Sequence, residues 1–174
     1  RSILFYGTFL SVGVSFTKEY LYIKIHLFTL PPLSKMFFFG AIGALLGVVI
    51  ANISLVTGTS LIDPMLAGMD VVQILMLLPV VTIGEEILYR RVIQNESEKI
   101  VPPFLSIIVT SILYAVVFFP LGPLPVFIGY MISLTMGVLY LFSRRIVLTS
   151  ITSLCMKVGF LAGLLIFHGG LVVR

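Results

Sequence analysis

Charge is scarce in this 174-residue chain: charged residues make up only 10% of it, against 59% hydrophobic residues. Mean hydropathy is strongly positive. A soluble domain of this length has no use for so much apolar surface, and lipid is its natural solvent. The modest excess of basic over acidic residues therefore reads as membrane topology rather than nucleic-acid binding. There is one cysteine, Cys155, in an apolar run, so no internal disulfide can form. The two histidines, His26 and His168, lie far apart in sequence and outline no metal-ligand cluster. No cofactor motif is visible. The chain opens on Arg1, and its first apolar stretch carries no convincing signal-peptide cleavage site followed by a soluble domain.

Long apolar runs are what the chain does contain. The expected fold is an all-α, polytopic membrane helix bundle of about six spans, forming a single membrane domain over residues 1–174. The first span runs from Ser2 to about Phe16, with a possible tilted extension through Tyr20–Ile23. Lys18, Glu19, Lys24 and His26 mark an interface, and Pro31-Pro32 breaks any helix there. The second span, Met36 to about Val56, carries Gly40, Gly43 and Gly47 at helical spacing, suited to close packing on another helix. After a loop containing Asp63-Pro64, the third span covers Val71 to about Val92, with a bend at Pro79 and a polar exit from Gln94 to Lys99. The fourth runs from Pro102-Pro103 to about Phe119 and the fifth from about Leu124 to Phe142. The sixth is capped by Thr149-Ser150 and runs to about Phe167.

Basic residues order these spans. Lys18, Lys24 and Lys35 follow the first, Arg90, Arg91 and Lys99 the third, and Arg144 and Arg145 the fifth. The other side has only Arg1 and Arg174. By the positive-inside rule, the basic loops face the cytoplasm or the equivalent side of an organelle membrane.

The third span ends in Gly84-Glu85-Glu86-Ile87-Leu88-Tyr89-Arg90-Arg91. Glu86 and Arg90 are four apart with the acid first, the favourable order for a pair on one helix face. Glu85 stacks over Tyr89 and has no local partner. An unpaired carboxylate in an apolar span must be met from another span, by water or by protonation. The alternative is a helix end at the headgroups, with its charges solvated.

This stretch resembles the EExxxR motif of the CPBP intramembrane proteases, the family of type II CAAX prenyl endopeptidases and bacteriocin-immunity proteins. The similarity extends over residues 71–163 and includes the segment from Gly137 to Arg145, which is similar to a family span ending in glycine, aromatic and arginine. The resemblance implies Glu85 as general base on a water, with Glu86 and Arg90 completing the motif. It also implies a histidine in FxxxH, and a histidine and asparagine in HxxxN to stabilise an oxyanion. By position these fall on Tyr114–Phe118 and Lys157–Leu161. Phe118 and Lys157 thus stand where the family has histidines, and Leu161 where it has asparagine. His168 is eleven residues past Lys157, about 16 Å along a helix, and His26 precedes a double proline. Cys155 and Ser153 lie near Lys157 but lack a visible base and orienting group.

Two functions follow. One is a non-catalytic scaffold or accessory subunit of a membrane complex, binding a peptide, a lipid or a protein partner. The other is an active intramembrane glutamate protease of the CAAX type using Glu85. An ion-path reading has less support, since the spans show no internal repeat. One further expectation concerns charge. Lys157 lies about 10 Å into its helix and Glu85 about 9 Å inside Arg91. The matching depths pair Lys157 with Glu85, leaving Arg90 for Glu86. The alternative is a lysine that snorkels to the interface.

Overall fold

The computed structural model describes residues 31–57 and 71–168. Every regular element among these residues is helical. In lipid, backbone N–H and C=O groups must be satisfied within the segment, so even runs rich in valine and isoleucine form helices. Helix α1 is Leu33–Thr57 and α2 is Val71–Glu86. The chain continues from α2 without a break as a π-helical stretch, Ile87–Gln94, and a last turn, Asn95–Ser97. Then follow α3, Pro103–Val116, a 3-10 turn at Phe119–Leu121, α4, Pro123–Ser143, and α5, Ile146–His168.

Three of these helices, α1, α4 and α5, are long and apolar enough to cross a membrane. They correspond to the expected second, fifth and sixth spans. The expected first span lies outside the described residues. The other two expected spans fall short of the criterion for physical reasons. Prolines at 102–103 and 120 confine α3 to 14 residues, about 21 Å against a hydrocarbon core of about 30 Å. Regular α2 stops after 16 residues, where the charged motif enters the π-helical stretch.

Two boundaries differ from expectation. Helix α5 starts at Ile146, so Thr149 and Ser150 lie inside it and do not cap it. The Thr149 hydroxyl donates instead to the Ile146 carbonyl. Gln94 is fully buried within the helix rather than part of a solvated exit, because α2 continues for almost a further turn beside α4.

Helix direction can be read from the contacts. Gly40 packs on Ile151 and Cys155, Gly43 on Thr152 and Met156, and Gly47 on Met156 and Phe160. Both helices thus advance together, so α1 and α5 run the same way. Their backbones are in direct contact. A Cβ on Gly43 would strike the Thr152 carbonyl, one on Gly47 the Met156 carbonyl, and one on Gly159 the Ala44 carbonyl. Small residues drive such association in lipid because they let backbones approach closely. Among the described residues this is the most extensive helix pair.

A second pair also runs in parallel. Arg90 meets Ser133, Gln94 meets Gly137, Asn95 meets Tyr140 and Glu98 meets Arg144, so α2 with its continuation advances with α4. Helix α3 runs opposite to both, with Ser106 beside Gln94 and Tyr114 beside Tyr89. The chain reverses from α4 into α5 in two residues. Arg144 takes a left-handed conformation, φ 51°, and its N–H closes on the Tyr140 carbonyl at 2.7 Å. At the other end of α4, Gly122 at φ 104° supplies the turn before Pro123.

The outer surface is apolar, with Phe37, Leu45, Met76, Phe127 and Phe142 exposed. The interior holds Thr82, Glu86, Arg90, Gln94, Ser106 and Ser133. Such an inside-out distribution is what a lipid solvent selects.

The glycine contact gives a direct test. Gly47→Leu should destabilise the protein by at least the roughly 1–3 kcal/mol of a core overpacking, because rigid backbone blocks the new side chain. Leu45→Ala, at an exposed position of the same helix, should change the melting temperature little. Thermal denaturation in detergent compares the two.

Candidate functional site

The site is built where α2 passes into its π-helical continuation. Pro79 lies inside α2 and cannot donate to the preceding turn. Seven residues later, at Glu86, the helix widens. π-helical insertions are uncommon and recur at functional sites. Here the insertion begins directly after the two carboxylates.

Glu86 is buried, and its Oε2 lies 3.6 Å from Nε of the equally buried Arg90. This is an ion pair without a closed hydrogen bond. The guanidinium turns its Nη2 to α4, donating to the Ser133 carbonyl at 2.8 Å and the Ser133 hydroxyl at 2.9 Å. Gly137 makes this possible. A Cβ there would stand 3.2 Å from Arg90 Nη1 and 2.7 Å from Ile107. The Thr149 hydroxyl lies beside the Glu86 carboxylate from α5.

Glu85 points to a different neighbour. Lys157 Nζ on α5 donates to Glu85 Oε2 at 2.5 Å. Both side chains are about one-fifth exposed, 21% and 20%. Lys157 therefore does not snorkel away from the acid, and the match in depth between Glu85 and Lys157 is realised as contact. Two acids and two bases balance, which is how charge is tolerated among apolar helices.

An aromatic chain closes another side of the site. Tyr89 meets Tyr114 edge-on at 5.0 Å between centroids, and Tyr114 meets Phe118 at 5.5 Å. Phe118 in turn sits on Gly129, where a Cβ would be 2.7 Å from the ring.

The family model described as type II CAAX prenyl endopeptidase Rce1-like matches residues 67–159, just over half of the chain. The chain belongs to the Rce1-like family. No curated protein and no solved structure matches it. The match contains the EExxxR segment and reaches α5 beyond Lys157.

Within this Rce1-like frame the aligned positions can be placed. Glu85, Glu86, Arg90 and Lys157 come together as two linked ion pairs. Phe118 belongs to the aromatic chain, and Leu161 is a half-buried aliphatic one turn beyond Lys157. Ser153 is buried in α5, and Cys155 packs against the Gly40 position, so α1 takes up that face. His26 lies outside the described residues, and His168 ends α5.

Several members of the site carry no family motif. Ser133, Gln94 and Thr149 surround the Glu86–Arg90 pair or extend it, beside Gly137 of the family-like span. A sequence signal existed for some of them. Gln94 follows Arg90 by four residues, and Ser133, Gly137 and Tyr140 recur at helical spacing along α4.

The Glu85–Lys157 contact predicts a specific stability pattern. Lys157→Met should destabilise the protein toward the lower end of the roughly 3–5 kcal/mol found when one side of a buried pair is removed, given the partial exposure. Combining it with Glu85→Gln should recover most of that loss. A double-mutant cycle by thermal or denaturant unfolding measures the coupling.

Proposed function

We propose that this Rce1-like membrane protein is non-catalytic and serves as a scaffold or accessory subunit that binds a partner within the bilayer. The observation that carries this reading is the 2.5 Å contact from the Lys157 ammonium to the Glu85 carboxylate. A general base must hold a water and accept its proton. In this reading the Glu85 oxygen that would do so is committed to an ammonium. Oxyanion stabilisation, commonly the largest single contribution to acyl transfer, needs donors aimed at the developing charge. Phe118 and Leu161 have none to offer. What remains of the motif is a set of charges that lock α2 to α4 and α5. The expected partners are the lipid bilayer and a membrane protein. The basic loops then face the cytoplasmic or equivalent side, and no cofactor or nucleic acid is involved.

The competing reading is an active glutamate protease, and one observation favours it. Glu85 and Lys157 are the more exposed of the two pairs, and Lys157 is a charged donor at a family histidine position. In that reading the lysine would polarise the scissile carbonyl while Glu85 activates water.

Incubation of the purified protein with a prenylated CAAX peptide separates the two. The expected outcome is no cleavage above buffer. Cleavage abolished by both Glu85→Ala and Lys157→Met would establish the protease instead. A Phe118→His, Lys157→His double variant should remain inactive, because Leu161 still supplies no donor.

A further inference from the structure

Every acid among the described residues already has a cation. Glu85 holds Lys157, Glu86 holds Arg90, Glu96 holds Lys99 and Glu98 holds Arg144. Arg145 and Lys35 pair with none of them. Both stand at the same end of the bundle. Lys35 is in the first turn of α1, and Arg145 directly precedes α5. Helices α1 and α5 run the same way in glycine contact, so their first turns are level.

The two-residue reversal between α4 and α5 fixes Arg145. Arg144 takes the left-handed conformation and reaches back to Glu98. The Arg145 N–H donates to the Ser143 hydroxyl at 3.3 Å. An arginine side chain keeps its charge in a protein, so this one is left to water or to an external anion.

The residue after Arg145 opens a cleft. Ile146, Val147, Ile151 and Leu154 of α5 face Pro79 and Ile83 of α2 across about 210 Å³. Thr82 and Ser150 also line it, but both are buried, and the open surface is apolar. Apolar cavities stay dry. The cleft is half open to the surroundings of the bundle, where Ile83 is 46% and the neighbouring Val80 58% exposed. In a bilayer those surroundings are acyl chains.

A guanidinium without a counter-ion at the head of an apolar, laterally open cleft matches an amphiphile with an anionic head. A soluble anion would leave the cleft empty. A zwitterionic lipid would fill the cleft and bring no net charge to Arg145.

We propose that the α4–α5 turn and the α2–α5 cleft bind one anionic phospholipid, with its phosphate on Arg145 and one acyl chain between α2 and α5. The planar fork of the guanidinium matches phosphate oxygens in pairs. Lys35, level with Arg145, adds to the positive potential that draws the headgroup. The chain lies between the two helices that the Glu85–Lys157 contact joins. Binding requires only that the protein sits in a bilayer, and it is independent of whether Glu85 hydrolyses a substrate.

Photolabelling of the full chain in lipid nanodiscs tests this. The probe is phosphatidylglycerol with a diazirine in one acyl chain, and adducts are mapped by mass spectrometry. Residues 79–83 and 146–154 should be labelled. Phosphatidylcholine with the same chain should label them about fivefold less, the factor that one basic residue contributes at a membrane surface. Arg145→Gln should lower phosphatidylglycerol labelling to that level. Ile83→Trp, at the exposed rim of the cleft, should remove the adducts on 146–154. In detergent, phosphatidylglycerol should raise the melting temperature of the parent, and inorganic phosphate should not. Equal labelling by the two lipids, labelling indifferent to Arg145→Gln or to Ile83→Trp, or equal stabilisation by inorganic phosphate overturns the proposal.

Discussion

Charge among apolar helices must be compensated, here by opposite charge, and that constraint organises this molecule. Two adjacent carboxylates stand on α2, and water cannot solvate them freely there. Glu86 is answered from its own helix by Arg90, and Glu85 from α5 by Lys157. The second answer requires α5 to be held at a fixed height and rotation. The glycine contact with α1 does this. Gly43 and Gly47 meet the backbone at Thr152, Met156 and Phe160, on either side of Lys157. A helix outside the family match thus sets the position of a residue inside it.

Arg90 ties the charged centre to the other half of the bundle. Its guanidinium bonds Ser133, and the line continues through Gln94 to Gly137, Asn95 to Tyr140 and Glu98 to Arg144. Successive turns of α2 and its continuation each make a polar contact with α4. Polar contacts of this kind specify register in lipid, where apolar packing alone discriminates poorly between neighbouring registers. The π-helical stretch holds the first of these contacts, and it presents Tyr89 to α3 while Arg90 and Gln94 face α4.

The family frame and the family chemistry rest on different groups. The Rce1-like match covers residues 67–159, which include the EExxxR segment. Hydrolysis rests on groups that position water and an oxyanion, and a fold does not supply these by itself. Lys157 is the residue on which the two readings divide. As the partner of Glu85 it completes a charge-balanced structural core. As a donor to substrate it would replace a histidine.

Local physics was legible in the sequence. Apolar runs in lipid must be helical, and an acid four residues before an arginine must share a face with it, because both follow from one helix's own geometry. Gly40, Gly43 and Gly47 announced a close-packed face for the same reason. The family followed from one short charged segment in its apolar context. Tertiary structure decided what no single helix contains. It set the parallel pairing of α1 with α5 and of α2 with α4. It buried Gln94, which reads as a polar exit until α4 is placed beside it. It turned Arg90 toward Ser133 and began α5 ahead of Thr149 and Ser150. The match in depth between Glu85 and Lys157 came from the sequence, but contact between these residues, 72 apart, depends on their two helices facing each other. Periodicity fixes which residues share a face, whereas packing fixes which faces meet.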